Sequence, residues 1–230
     1  MLLSIDRTEF ARKLTAEALG TGLLIVAVLG SGIMAQRLSP TDVGLQLLEN
    51  AAATAGALIG LILMFGSVSG AHFNPAVTLS FRYFGRVTNT ETAGFISAQI
   101  IGGCVGAVVA NLMFGLRAVN ISTRVRSSGA LWLSEVVATA GLLLLIHGIV
   151  RSGRGHSVPY AVGAWIGGAY WFTSSTSFAN PAVTIARTLS NTFAGIKPSS
   201  APMFIVMQLI ATVMAVGLIR LLYPIDHSKP

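Results

Sequence analysis

The sequence predicts an all-α membrane protein, with six spanning helices and two re-entrant half-helices arranged as an inverted repeat. Three observations carry this. The chain of 230 residues is 53% hydrophobic and only 10% charged, with a mean hydropathy of +0.73; a soluble domain has about 25% charged residues. Six apolar stretches are long enough to cross a bilayer at about 20 residues each. One pattern also occurs twice, as Gly70-Ala71-His72-Phe73-Asn74-Pro75-Ala76-Val77-Thr78 and as Thr176-Ser177-Phe178-Ala179-Asn180-Pro181-Ala182-Val183-Thr184. Each copy opens an apolar segment too brief to span.

The first span, 13–35, follows a charged stretch and carries Glu17, so it reads as a retained span rather than a cleaved signal. The second, 46–68, carries a ridge of small residues, Ala52, Gly56 and Gly60, predicted to let helix backbones approach closely. The short segment 74–84 follows. Asn is a strong N-cap and proline needs no N–H partner in a first helical turn, so Asn74-Pro75-Ala76 starts a half-helix. The third span, 91–115, contains Gln99 and the small residues Gly102, Gly103 and Gly106, which also permit close helix approach though less specifically than the ridge. The fourth, 130–150, carries Glu135 and His147, and the fifth, 158–178, carries Gly163, Gly167 and Gly168. Asn180-Pro181-Ala182 then opens the second short segment, 180–190, and the sixth span, 201–223, contains Gln208. The loops at 36–45, 116–129 and 151–157 are short and polar, so residues 1–230 read as one domain.

The halves, roughly 10–115 and 130–223, match beyond the tripeptide. Ala16-Glu17-Ala18-Leu19-Gly20-Thr21 resembles Ser134-Glu135-Val136-Val137-Ala138-Thr139, and Gln99-Ile100-Ile101-Gly102 resembles Gln208-Leu209-Ile210-Ala211. Three spans per half is an odd number, so the halves insert with opposite orientation. Paired half-helices in such a repeat point to a substrate path.

Net charge is +7, but the basic residues are scattered between apolar segments, and no basic stripe with aromatics suggests nucleic acid. Arg7, Arg12, Lys13, Arg82, Arg86, Arg151, Arg154, Arg220 and Lys229 fall on one side; Arg37, Arg117, Arg124, Arg126, Arg187 and Lys197 fall on the other. The larger group predicts that both termini face the cytoplasm of a cell membrane, taken as a bacterial inner membrane. The first half-helix then enters from the cytoplasm and the second from outside. The single cysteine, Cys104, excludes an intramolecular disulfide. No metal-ligand spacing and no nucleophile–base pair is legible, so neither an enzyme nor a cofactor is expected. His147 reads as a hydrogen-bonded packing residue.

The doubled Asn-Pro-Ala, the repeated glutamate and the repeated glutamine together resemble the aquaporin and glycerol-facilitator family, over about residues 10–223. The resemblance implies half-helices meeting at the membrane centre and a homotetramer with one pore per subunit. Where the half-helices meet, their positive ends face the lumen, each with roughly half an elementary charge. Asn74 and Asn180 would offer side-chain amides to neutral solutes with oxygen lone pairs, and cations would meet a barrier. An acid inside a span is a functional hypothesis by default, a proton relay included. For Glu17 and Glu135 the resemblance implies a quieter role, accepting backbone N–H groups of the loops before the half-helices. Gln99 and Gln208 fit a similar supporting role. His72 either lines the approach to Asn74 or supports the loop.

One departure matters. Most of the family place an arginine directly after the second Asn-Pro-Ala; here that position is Val183, and Arg187, one helical turn on, is not expected to replace it without a different geometry. Counting from the asparagines as the family pattern has it, the other filter positions are Thr54, Gly168 and Ser177. A constriction with neither ring nor charge is expected to be wide and weakly polar, admitting polyols and neutral metalloid hydroxides besides water. Residues 174–184 are similar to bacterial members associated with arsenic resistance. Arg117, Arg124 and Arg126 either concentrate acidic solutes at the pore mouth or form a solvated loop. The leading expectation is therefore a passive channel for small uncharged solutes. The alternatives are a water-selective channel, a proton-coupled transporter using Glu17 and Glu135, and an assembly protein plugged by Phe73, Phe178 or Trp171.

Overall fold

A computed structural model describes residues 7–224. Lys229, counted above with the larger basic group, lies outside the described residues. The elements in order are α1 (Arg7–Leu38), α2 (Val43–Ser69), α3 (Pro75–Tyr83), α4 (Asn89–Met113), α5 (Gly129–Arg151), α6 (Val158–Phe172), α7 (Pro181–Ala186) and α8 (Ala201–Leu222). Single 3₁₀ turns precede α6 and follow α7. Local chemistry sets several boundaries. Asp42 caps α2 by accepting from the Leu45 N–H at 2.9 Å, and Thr88 with Glu91 forms a reciprocal capping box on α4.

Five of the predicted spans form helices of 22 to 32 residues. The stretch 158–178 does not: α6 ends at Phe172 after 15 residues. At 1.5 Å per residue that is about 22 Å, short of a hydrocarbon core of about 30 Å. The reason lies in Thr173-Ser174-Ser175-Thr176-Ser177, five hydroxyl side chains that compete for backbone partners and favour turns over helix. Apolar neighbours hide this run from a hydropathy reading. Thr176, Ser177 and Ala179 take φ of 62°, 48° and 48°, as Ala71 and Phe73 do at 51° and 48° before α3. Such left-handed non-glycine residues cost of order 1 kcal/mol each and persist only where surrounding contacts hold them.

The packing repeats between halves. α1 packs on α4 and α2, α5 packs on α8, and α2 meets α6 across the halves. The half-helices bridge the halves, α7 lying mainly on α4, and α3 on both α4 and α8. The small residues that permit close approach are not those of the predicted ridge. Gly56 and Gly60 face outward, with nothing within 4 Å of where a Cβ would stand. The tight crossing is α1 on α4 instead, where a Cβ on Gly102 would lie 2.1 Å from the Ala18 carbonyl oxygen and one on Gly106 2.3 Å from that of Gly22.

Burial is inverted relative to a soluble protein. Leu133, Val213, Ile101 and Met64 are exposed, while Glu17, Gln99, Glu135 and Gln208 are fully enclosed. This is the pattern of a bundle solvated by lipid, with polar groups satisfied inside. The two ends of the bundle also differ. At one, the Arg220 guanidinium donates to the Tyr83 hydroxyl at 2.9 Å and Lys13 pairs with Glu91 at 3.1 Å, so α3 runs out among basic residues. At the other, Asn120 and Ser122 donate backbone N–H groups to the carbonyls of Leu189 and Thr188 at 3.0 and 2.9 Å. This stitches the loop between the halves to the exit of α7.

Candidate functional site

Both asparagines cap their half-helices. The Asn74 side-chain oxygen accepts from the Ala76 N–H at 2.9 Å, and that of Asn180 accepts from Ala182 and Val183 at 3.0 and 3.2 Å. Pro75 and Pro181 occupy the first helical turns, where no N–H is required. The amide nitrogens then cross between halves. Asn74 Nδ2 donates to the Ala179 carbonyl and Asn180 Nδ2 to the Phe73 carbonyl, each at 2.7 Å. The two helix N-termini are thereby joined back to back.

Behind each asparagine stands a matched support. Glu17 accepts from Ser69 Oγ at 2.6 Å, from the backbone N–H of His72 at 3.0 Å and of Phe73 at 2.8 Å, and from Gln99 Nε2 at 2.7 Å. Glu135 accepts from the backbone N–H of Phe178 at 3.0 Å and of Ala179 at 2.9 Å, and from Gln208 Nε2 at 2.6 Å. Gln99 and Gln208 also donate to Thr78 and Thr184 at 3.0 Å, and those hydroxyls donate to the Asn74 and Asn180 carbonyls. An ionised carboxylate is acceptor-only, so these donors match its capacity. Such a chain holds the left-handed loop residues where lipid cannot satisfy them.

A cavity of about 340 Å³ runs past the junction. Asn74 and Asn180 line it, with Val77, His72 and Phe81 toward the α3 end and Thr54, Ser177 and Val183 toward the α7 end. Most of the remaining wall is aliphatic, including Leu58, Ile62, Leu142 and Ile166. Of the four filter positions counted in the sequence, Thr54, Ser177 and Val183 come together on this wall. Gly168 does not: it is exposed on the outside of α6, near Phe172. The wall face of α6 is Pro159, Val162, Ile166 and Tyr170, spaced by three or four. The Tyr170 hydroxyl lies 3.2 Å from Thr54 Oγ1 and ties α6 to α2.

The cavity therefore has both a ring and a charge, contrary to the expectation of neither. At the α7 end Tyr170 and Phe178 supply rings and Arg187 the charge. The sequence reading missed Tyr170; the helical face read at i+3 and i+4 from Pro159 is the signal that marks it. Arg187 is 1% exposed, and its guanidinium carbon lies 3.3 Å from the centre of the Phe178 ring. Side chains on a helix tilt toward its N-terminus and cover the preceding turn, which carries the Arg187 head back along α7.

The loop arginines are not equivalent. Arg126 is buried, and its guanidinium donates to the carbonyls of Gly195, Phe193 and Ser175 at 2.9, 3.3 and 3.4 Å. Burial first, then the charges of Arg187 and Arg124, push it down to about 9, still above neutral pH. It is a loop clamp rather than a member of a solvated cluster, whereas Arg117 and Arg124 are exposed. His72 lines the cavity and also supports its loop, with Nδ1 3.1 Å from Thr78 Oγ1. His147 Nε2 is 2.9 Å from Ser80 Oγ, and Phe81 stacks between the two histidine rings at 4.7 Å from each. Phe73 and Phe178 are on the wall, but Trp171 is exposed on the outside and cannot plug the cavity.

Residues 4–174 match the model of the major intrinsic protein family. The chain is 48% identical over 212 residues to the aquaglyceroporin AqpS of Rhizobium meliloti (strain 1021), covering 92% of this chain and 90% of that protein. It is 32% identical over 152 residues to a probable glycerol uptake facilitator protein of Thermotoga maritima, covering 58% of this chain and 62% of that protein. In fold it matches the X-ray structure of the aquaglyceroporin from Plasmodium falciparum at a TM-score of 0.71, with 20% identity and coverage of 91% and 95%. With this family match and the apolar helices around a shared cavity, the chain belongs to the major intrinsic protein family and is a multi-pass membrane channel of the aquaglyceroporin type.

Proposed function

We propose that this channel passively conducts small uncharged solutes together with water: polyols such as glycerol, neutral metalloid hydroxides such as arsenite, and organo-arsenicals. The observation that carries the reading is Val183. An aliphatic side chain stands where a filter arginine is usual, and Thr54 and Ser177 beside it are small. Pore width sets the size cutoff. Each asparagine amide carries two N–H donors, of which one crosses to the other half. The second is available to a solute oxygen at the narrow junction. The likeness to AqpS, described as an aquaglyceroporin, points the same way.

The pore is the whole of one domain. It assembles as a homotetramer in a bacterial inner membrane, with the α3 end and both termini cytoplasmic, following the excess of Lys and Arg at that end. The protein has no enzymatic role in this reading. Glu17 and Glu135 support the loops and carry no protons across, since their oxygens are occupied by loop and glutamine donors.

A second reading, a water-selective channel, is favoured by one contact. The Tyr170–Thr54 hydroxyl pair draws α2 and α6 together at the α7 end of the cavity. Stopped-flow light scattering on proteoliposomes separates the two. Glycerol and arsenite entering faster than into protein-free vesicles supports the wide pore. Fast water with both solutes excluded establishes the narrow one.

A further inference from the structure

The charge missing at Val183 has a neighbour with no partner for its own. Among the described residues the only ion pairs join Lys13 to Glu9 and Glu91. Arg187 thus keeps a buried guanidinium without a carboxylate, an arrangement that is expensive unless something else solvates it. Its Nε donates to the Ala194 carbonyl and its plane rests on Phe178. Its terminal nitrogens make no hydrogen bond within the described residues. Arg126 provides the contrast: it lies over the same ring at 5.1 Å, but all three of its nitrogens are bonded to backbone carbonyls, and it is not on the cavity wall. Arg187 is on the wall, and no other lining residue carries a permanent charge.

A second unpaired group lies beside the same space. Ser177 Oγ is buried, with its residue 3% exposed, and has no hydrogen-bond partner. Ser177 lines the cavity immediately before Phe178, the residue on which Arg187 stacks. The Tyr170–Thr54 hydroxyl pair lines the same end. Unsatisfied donors around a water-filled or solute-filled space are a ready-made station for oxygen acceptors.

We propose that Arg187 is the pore's selectivity arginine, displaced one turn along α7, and that with Ser177 it binds solutes presenting adjacent hydroxyl oxygens while excluding cations. The guanidinium fork donates two roughly parallel N–H groups, which suits two neighbouring oxygens better than one. Ser177 Oγ, enclosed but with no partner to leave, turns to the solute to take a third contact. Vacating position 183 widens the passage while the charge that repels cations is retained from a neighbouring turn. A pore thus becomes broad without becoming leaky to protons. The solute half of this inference rests on the proposed conduction of uncharged solutes; the cation half does not.

The test uses proteoliposomes of the full chain, comparing wild type with Arg187→Met, Arg187→Lys and Ser177→Ala for water, glycerol and proton permeability. Methionine keeps the length and removes the charge, so proton leak relative to water should rise about tenfold, while lysine should hold it near the wild-type value. A purely structural Arg187, serving only to staple Ala194 and Phe178, would make the two variants alike. Equal leak from both, or no leak from Arg187→Met with water flux intact, overturns the proposal. Should Arg187→Met fail to fold, Arg187→Gln takes its place in the proton comparison, and Ser177→Ala, which touches none of the Arg187 bonds, tests the solute station. The glycerol-to-water ratio should then fall about threefold, the loss of one hydrogen bond, and an unchanged ratio overturns the station. A wild type that passes water but no glycerol sinks the broad-pore reading and the solute half, while the proton comparison still judges the charge.

Discussion

Asn180 Nδ2 donates to the carbonyl oxygen of Phe73 across the junction of the two halves, 107 residues apart in the chain, at 2.7 Å. Its counterpart runs from Asn74 to Ala179 at the same distance. The asparagines therefore join the two halves at the pore's midpoint as well as capping their own helices, and both tasks need an amide. Asn180→Asp keeps the cap and loses the donor, setting a carboxylate against the Phe73 carbonyl. Destabilisation of about 2 kcal/mol is expected from the unpaired buried groups, read as a lower thermal midpoint in detergent. Asn180→Ala should lose the cap as well and fall further.

The glutamates test the transporter alternative. Glu135→Ala strips an acceptor from the N–H groups of Phe178 and Ala179 and from Gln208. Each buried donor left unsatisfied costs about 1–3 kcal/mol, so loss of about 3 kcal/mol or more and poor recovery of folded protein are expected. A variant that folds normally but loses uptake driven by a pH gradient would instead restore the proton-coupled reading.

Position 183 tests the width of the pore. Val183→Arg places a second guanidinium ahead of Arg187, filling space on the wall. Glycerol permeability should fall at least about tenfold and water by only a few-fold, since size exclusion acts first on the larger solute. Equal effects on both would mean the constriction lies elsewhere.

Positions 168 and 170 distinguish two placements of the filter. Gly168 lies outside the cavity and Tyr170 on its wall. Gly168→Leu should leave the glycerol-to-water ratio within about twofold, because its side chain never meets the solute path. Tyr170→Phe, which deletes the hydroxyl bonded to Thr54, should change that ratio measurably in the same vesicle assay.

The α1–α4 crossing carries a stability prediction. A Cβ on Gly102 would lie 2.1 Å from a backbone oxygen that cannot rotate away. Gly102→Ala should destabilise the protein by about 1–3 kcal/mol, the usual range for overpacking. Gly56→Ala, open to the outside, should be near neutral, and the two are compared by thermal unfolding in one detergent.

Much of this site was legible in the chain. The repeated Asn-Pro-Ala located the starts of both half-helices to within a residue; α3 also ends within a residue of 84, whereas α7 stops at Ala186 and only a 3₁₀ turn carries on toward 190. The repeat paired Glu17 with Glu135 and Gln99 with Gln208, and the family resemblance implied their supporting role, which the loop N–H contacts display. The filter was legible only in part. Counting residues back from Asn180 led to Gly168, yet the helical phase of α6 puts Pro159, Val162, Ile166 and Tyr170 on the wall and Gly168 on the opposite face. The Ala52–Gly56–Gly60 ridge was visible, but whether it meets a helix of the same chain was not.

Sequence alone was enough for the membrane class, the order of spans and half-helices, the inverted repeat and the capping asparagines. All of these follow from periodicity, hydropathy and short-range backbone chemistry. Folding in three dimensions decided which side chains share the cavity: Arg187 reaching back over Phe178, Tyr170 bonded to Thr54, and Arg126 turned inward to clamp a loop. Those contacts join residues from 9 to 116 positions apart, through the tilt of helical side chains and the path of irregular loops. Neither is encoded in any local pattern, so the pore's chemistry emerges only where the two halves meet.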